Sequence, residues 1–452
     1  MNTNQILTFF IAASAAIVGL LFGYDVGIIS GVIIFIKPYF SLSAIEVGLI
    51  VGAVAFGAFI SALFCGKLGD RYGRKSLLIT TAFLFVVGSV ICAIAGSSIM
   101  LCLGRAILGV AVGIGSFTVP LYISEIAPKK LRGRLVTLNQ LAITLGICVA
   151  YVVNLIFSSS GDWRLMLLLG ACPAILLLII LCYLPKSPRW LMANHYTKEA
   201  EAILCSIHGK DHAKREYDEI KSVLEKANHK VSIFNRKYIK PLLLGIMISI
   251  VTQAVGVNAI IYYAPTIFKL TGFSSNSTAI LATLGIGLTN VVFTILAIGI
   301  IDKAGRRKLL LVGLSGIIVS LMILSVAFDG KVAAGSVAWL ALFAMVFFIA
   351  CQAFSTGPAC WLIPSEIFPV SIRSQGVGIS AACNWGTNVI VAFLFPIFLQ
   401  KYGAVATFSC FLGIAVIGFI YVFFKLPETK GVSLEEIENN ILKELPLRKL
   451  GA

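Results

Sequence analysis

Apolar runs of 18 or more residues recur from Ile6 to Phe424, parted by short polar stretches. At 1.5 Å per residue each run crosses a hydrocarbon core of roughly 30 Å as a helix, which excludes a barrel of short strands. The pattern predicts spans over 8–36, 45–66, 77–96, 99–121, 135–157, 165–184, 241–269, 276–301, 309–328, 336–363, 374–400 and 405–424. The expected fold is therefore an all-α membrane protein of twelve transmembrane helices. Residues 1–184 are expected as an N-terminal six-helix bundle, 185–240 as a cytoplasmic helical linker, 241–424 as a C-terminal six-helix bundle and 425–452 as a cytoplasmic tail. No Lys or Arg precedes Lys37 and no small-residue cleavage site follows a short apolar core, so the first run is expected to be a retained span.

Three motifs occur twice in the same order. Leu68-Gly-Asp70-Arg71-Tyr-Gly73-Arg74-Lys75 is echoed by Ile300-Ile-Asp302-Lys303-Ala-Gly305-Arg306-Arg307, each after the second span of a half. Ser124-Glu125-Ile-Ala-Pro128-Lys-Lys-Leu-Arg132 is echoed by Ser365-Glu366-Ile-Phe-Pro369-Val-Ser-Ile-Arg373, each after the fourth. Leu184-Pro185-Lys-Ser-Pro188-Arg189 and Leu426-Pro427-Glu428-Thr429-Lys430-Gly431 each close the sixth. The chain reads as a duplicated six-helix unit, two pseudo-symmetric bundles. Between them, Ala200, Ile203, Leu204 and Ile207 fall at helical spacing among Glu199, Glu201, Glu216, Glu219, Glu225 and many lysines, the pattern of short amphipathic cytoplasmic helices. His195, His208, His212 and His229 share that segment with Cys205, but their spacing fits no closed zinc site, and no metal is expected.

Composition agrees with lipid as the solvent: 59% of residues are apolar, 12% are charged and mean hydropathy is +0.98. Ten of the eleven cysteines lie in or beside apolar runs, which makes no disulfide framework. The net charge of +16 would suit nucleic acid if it were spread over a surface. Instead, all Lys and Arg residues except Lys37, Arg164, Lys269, Lys331, Lys401 and the intrahelical Arg105 fall on one side of the predicted spans. The positive-inside rule makes that side cytoplasmic, with both termini on it.

The repeated boxes bring carboxylates and arginines to one membrane surface, where opposite charges attract more strongly than in bulk water. Asp70, Arg71, Arg74, Glu125, Arg132, Asp302, Arg306, Glu366 and Arg373 are expected to form a cytoplasmic gate that latches one half against the other; the alternative is charge that only sets topology. Asp25 and Arg105 alone lie well inside spans, at compatible depths. A carboxylate favours its charged form beside a guanidinium and its neutral form in an apolar cavity, so parting such a pair would load a proton. A static buried ion pair is the alternative. Gln140, Gln253, Asn258, Tyr262, Tyr263, Asn290, Trp361, Asn384, Trp385 and Asn388 add amides and rings to five spans. Amides both donate to and accept from hydroxyls, and rings stack on the C–H faces of a pyranose, so the set suits a sugar; interhelical hydrogen bonding is the alternative. The five- and four-residue spacings of Gln253, Asn258 and Tyr262 put them near one helix face, while Gly256, Pro265, Gly357, Pro358 and Pro364 should weaken or bend the seventh and tenth spans.

These residues resemble the sugar porter branch of the major facilitator superfamily from Gly23 to about Leu434. The resemblance rests on Gly23-Tyr-Asp25-Val-Gly27…Ser30-Gly31, Gly69-Asp70-Arg71-Tyr-Gly73-Arg74, Gly104-Arg105…Gly109, Pro185-Lys-Ser-Pro188-Arg189, Gln253…Gly256-Val-Asn258…Tyr262-Tyr263-Ala-Pro265, Gly357-Pro358…Trp361 and Pro427-Glu-Thr-Lys-Gly431. It implies the major facilitator fold, and proton-coupled symport of a hexose or pentose as in bacterial xylose, galactose and glucose symporters. Asp25 then matches their proton-coupling aspartate and Arg105 its partner, where animal facilitators carry Asn at the Asp25 position. Gln140, Gln253, Asn258, Asn290, Trp361 and Asn384 match sugar contacts, with Trp385 and Tyr262 closing around the ligand. Thr252 and Gln352 depart from the pattern and bear on which sugar or polyol is taken. A uniporter, a myo-inositol symporter, a drug/proton antiporter and a non-transporting sensor are the rival readings. No nucleophile constellation or phosphate loop occurs, so neither catalysis nor a cofactor is expected. The expected partners are a sugar, a proton and the lipid of a bacterial inner membrane, with the protein a monomer.

Overall fold

The structure, a computed structural model, describes residues 3–126, 132–208, 210–226, 233, 235–273, 275–330, 334–369, 372–430, 432, 434–443 and 445–450. Side chains are not described at 3–10, 12, 132–137, 208, 210–212, 219, 223–226, 302, 334–335, 374 and 434–435. The described chain is helical. Helices α1 (Thr3–Tyr39), α2 (Ala44–Tyr72), α3 (Arg74–Ala93), α4 (Ser98–Ile126) and α5 (Arg132–Ile156) are followed by the short pair α6 (Trp163–Leu168) and α7 (Ala171–Tyr183). Then come α8 (Pro188–Ala193), α9 (Thr197–His208) and α10 (Lys210–Lys226), short and polar. The second half holds α11 (Arg236–Ala254), α12 (Val257–Leu270), α13 (Asn276–Ala304), α14 (Arg306–Ala327), α15 (Ala334–Phe354), α16 (Thr356–Ile367) and α17 (Arg373–Lys425), before α18 (Leu434–Leu442).

Among the described residues, 11 helical stretches are long and apolar enough to cross a membrane. The last, Gln375–Lys425, is two of them: Gly403, at φ 79°, is non-helical and folds it back. Arg373 Nε donates to the Phe368 carbonyl at one end of α17 and the Phe423 carbonyl accepts from Arg307 near the other, so both ends reach the box side. Twelve spans result, as the hydropathy pattern predicts. Neighbours in each half pack chiefly on one another, α1 on α5, α2 and α3 on α4, α14 on α15 and α17; α2 with α17, α5 with α13 and α1 with α12 join the halves. Glycines allow the closest approaches: a Cβ on Gly23 would sit 1.9 Å from the Ile143 carbonyl oxygen, and one on Gly109 2.1 Å from that of Val54.

Among the described residues, two spans are broken and the sixth only tightens at Leu169–Gly170, where both residues keep right-handed helical angles. The seventh breaks at Gly256, which takes the left-handed conformation (φ 93°) and caps α12. Pro265, by contrast, sits inside α12 without ending it. The tenth breaks at Ser355, ahead of Gly357 and Pro358. Pro358 falls in the first turn of α16, where a missing N–H costs nothing, and its ring excludes continuation from Phe354. The polar linker docks on the first box: the Trp190 indole N–H donates to the Asp70 carbonyl (2.9 Å), and Leu191, Met192 and Ala200 make a small core with Ile203, Tyr217 and Ile220.

Gly256→Ala forces an L side chain into positive φ and puts its Cβ 2.9 Å from the Phe411 ring. It is expected to cost more than the about 1–2 kcal/mol of the backbone term alone. Gly272→Ala, also at positive φ (98°) but with nothing within 4 Å, reads that term by itself. Thermal unfolding midpoints of both variants in detergent check the difference.

Candidate functional site

Asp25 and Arg105 meet. The Arg105 Nη1 lies 2.7 Å from Asp25 Oδ1, with side-chain exposures of 1% and 5%. Arg105 Nε reaches the Ile50 carbonyl at 3.5 Å, while the buried Asp25 Oδ2 has no hydrogen-bond partner. Gly23 and Gly27 let α1 pack closely on α5 beside the pair. The buried pair thus leaves one carboxylate oxygen without a protein donor, beside a small cavity lined by Leu21, Tyr24 and Phe85.

Across the interior, the amides also meet. Asn258 Nδ2 donates to Gln253 Oε1 (2.9 Å), Gln253 Nε2 donates to Asn384 Oδ1 (3.0 Å), and Asn384 Nδ2 donates to the Ser249 carbonyl (3.3 Å). The spacing of Gln253 and Asn258 predicts one helix face, but Gly256 separates α11 from α12 between them, and the hydrogen bond spans the break. One turn along α17, Asn388 Nδ2 donates to the Tyr262 hydroxyl (3.3 Å). The buried Trp385 packs on Phe22 of α1, ring centroids 5.5 Å apart. Trp385 Nε1 and Asn388 Oδ1 have no partner, a donor and an acceptor in reserve. Asn290 is buried on α13, and Gln140 on α5 and Trp361 on α16 are half-buried. Among the described residues no hydrogen bond joins these three to the amide chain. Thr252 points its hydroxyl back to the Ser249 carbonyl (3.1 Å), and Gln352 lies beside Gly357.

The boxes at the other level form two matching networks. Arg74 bonds Glu125 (3.0 Å) and Asp70 (3.3 Å), and Ser187 donates to Glu125 (2.5 Å). Arg306 bonds Glu366 (2.9 Å), and Thr429 donates to Glu366. Glu428 receives the backbone N–H groups of Arg306 and Arg307 at the start of α14, where the helix dipole favours an anion. These ion pairs lie within each half. Arg71 rests over Tyr72 at the exposed edge, and Arg373 is tied to Phe368. The side chains of Arg132 and Asp302 lie outside the described set. Ser187, Glu428 and Thr429 are network members that the residue reading did not single out, although the third repeated box contains all three.

This is the arrangement of a known group of proteins. The chain matches the family described as "Sugar (and other) transporter" over residues 11–441. It belongs to that family. The galactose-proton symporter of Escherichia coli (strain K12) is 38% identical, with 100% of this chain and 98% of that protein covered, and the arabinose-proton symporter of the same strain is 39% identical, covering 100% and 97%. An inward-open structure of the xylose transporter XylE from E. coli superposes with a TM-score of 0.84 at 32% identity, covering 96% of this chain and 99% of that one. The sugar porter resemblance and the major facilitator fold read from the boxes are borne out, and the chain is a multi-pass integral membrane protein of this family.

Removing one member of a buried ion pair leaves the other charge uncompensated, at about 3–5 kcal/mol, whereas replacing both with apolar groups is close to neutral. Asp25→Ala is therefore expected to lower the thermal unfolding midpoint sharply and Asp25→Ala with Arg105→Met to restore most of it. Differential scanning fluorimetry of the purified proteins measures both.

Proposed function

We propose that this chain is a proton-coupled symporter of a monosaccharide in a bacterial cytoplasmic membrane, working by alternating access. The observation that carries the reading is the buried Asp25–Arg105 pair with its unused carboxylate oxygen, set in the same interior as the amide chain. A proton on Asp25 would cancel the attraction that holds Arg105, and so would bias which conformation the two halves adopt. Gln253, Asn258 and Asn384 would exchange their mutual hydrogen bonds for sugar hydroxyls, with Gln140, Asn290 and Trp361 contributing from facing spans and Tyr262 and Trp385 closing over the ring. The unpaired Trp385 Nε1 and Asn388 Oδ1 supply a further donor and acceptor for one hydroxyl. The relatives named for galactose-proton and arabinose-proton symport support both halves of this reading.

The box end is cytoplasmic on this reading, with both termini there, and residues 1–184 and 241–424 move as the two units. Each unit is stiffened by its own network of Arg74 with Glu125 or Arg306 with Glu366. Asp70 and Arg71, at the rim, would meet the opposite half when that end closes, and the gate role proposed for Arg132, Asp302 and Arg373 belongs to the same closure. The site is assembled within one chain, so a monomer suffices.

The test uses weakly buffered vesicles holding the purified protein, given xylose, glucose, galactose and myo-inositol in turn. External alkalinisation with one sugar is expected, and none with Asp25→Asn; labelled-sugar exchange without a pH change would instead mean a uniporter. Asp25→Asn is expected to lose uphill accumulation while sugar exchange persists, and concentrative uptake in that variant would sink the coupling role. Gln253→Ala and Asn258→Ala are each expected to weaken sugar binding by about 1–3 kcal/mol, since a desolvated hydroxyl loses its partner. Unchanged affinity in both would remove the proposed site.

A further inference from the structure

A proline inside a helix has no N–H to give, and the carbonyl four residues earlier is released. In a lipid-facing or dry interior that carbonyl needs another donor. Pro265 releases the carbonyl of Ile261 in α12, and Pro396 releases that of Ala392 in α17. Both are taken by buried tyrosine hydroxyls from other helices: Tyr151 of α5 donates to the Ile261 oxygen at 3.1 Å, and Tyr263 of α12 donates to the Ala392 oxygen at 2.9 Å. Tyr151 is 0% exposed and Tyr263 1%. Gly287 makes room for the Tyr151 ring, since a Cβ there would lie 2.7 Å from it. The Tyr151 bond thus runs from the first half to the second. Farther toward the same end, Ser158 and Ser277 also bridge α5 and α13, Oγ to Oγ at 2.9 Å.

We infer that Tyr151 and Tyr263 are positioning residues for α12, and that the Tyr151–Ile261 bond is the strap holding the two halves together at the end away from the boxes. α12 starts at the left-handed Gly256 and carries Asn258 and Tyr262, so it is a short arm hinged at one side of the amide chain. Its grip on α17 comes through Tyr263 and its grip on α5 through Tyr151. Opening the far end requires Tyr151 to let go of the Ile261 carbonyl, which then faces the water that enters. The inference rests on the alternating-access reading but not on the identity of the cargo.

Hydrogen–deuterium exchange on the purified protein without sugar tests it, read on residues 33–39 and 276–286. Tyr151→Phe is expected to speed exchange there by about three- to tenfold, as loss of one buried hydrogen bond favours the open form. Pro265→Ala returns an N–H to the Ile261 carbonyl, whose second lone pair can still take Tyr151, so it is expected to blunt the effect of Tyr151→Phe, the double variant exchanging more slowly than Tyr151→Phe alone. Unchanged exchange in Tyr151→Phe, or a double variant that exchanges as fast as or faster than Tyr151→Phe, would overturn the strap. A failure of sugar-dependent proton uptake would leave these results untouched, so the two readings fail separately.

Discussion

Every polar backbone group in the membrane interior must find a partner within the protein, and the architecture follows from where that demand is met by something other than a regular helix. Unbroken helices satisfy it locally and can face lipid. Broken ones cannot, and among the described residues several of the carbonyls near the breaks and prolines are met by side chains, most of them from neighbouring helices. The Met166 carbonyl, beside the tightened turn at Leu169–Gly170, receives the Tyr24 hydroxyl (2.6 Å). The Ser249 carbonyl, near the end of α11, receives both Thr252 and Asn384. The Ile261 and Ala392 carbonyls receive Tyr151 and Tyr263. The irregular backbone of the seventh span is thereby confined to the interior, where it can present amides to a polar ligand.

Charge obeys the same demand more severely. Asp25 and Arg105 are tolerated because each neutralises the other, and the pair joins α1 to α4 within one half. At the box end the mirrored pairs Arg74–Glu125 and Arg306–Glu366 each recruit a hydroxyl from the loop that ends the sixth span of its half, Ser187 and Thr429. Networks closed within a half stiffen that half without fixing it to its partner. Two polar bonds seen to cross, at Tyr151 and between Ser158 and Ser277, are neutral, and a neutral hydrogen bond exchanges with water at little net cost. Charged links inside each half, with links between them that exchange readily, suit rocking.

Much of this was legible in the chain. The spans follow from hydropathy because a helix in lipid is a local structure, complete in itself. The Asp25–Arg105 pair was legible because two charges in apolar spans at matched depth have no other partner. The break at Gly256 was legible too, but the tenth span breaks at Ser355, a few residues before Gly357 and Pro358, because a proline is accommodated in a helix's first turn and disrupts the turn before it. The boxes announced themselves by repetition. Their pairing inside each half did not, since a repeated charge pattern states that partners exist and not whether they lie in the same bundle.

The sequence by itself determined the number of the spans, the duplication, the richer basic side and the inventory of amides, rings and buried charges. These depend on local length, period and composition. Only the tertiary structure decided that Gln253 lies between Asn258 and Asn384, that Asn388 reaches Tyr262, and that Tyr151 and Tyr263 end on carbonyls freed by prolines. Most of those partners lie more than a hundred residues apart in the chain, and which of several equally polar groups meet is set by helix tilt, glycine-allowed approach and the position of each break, none of which is written in the neighbourhood of either residue.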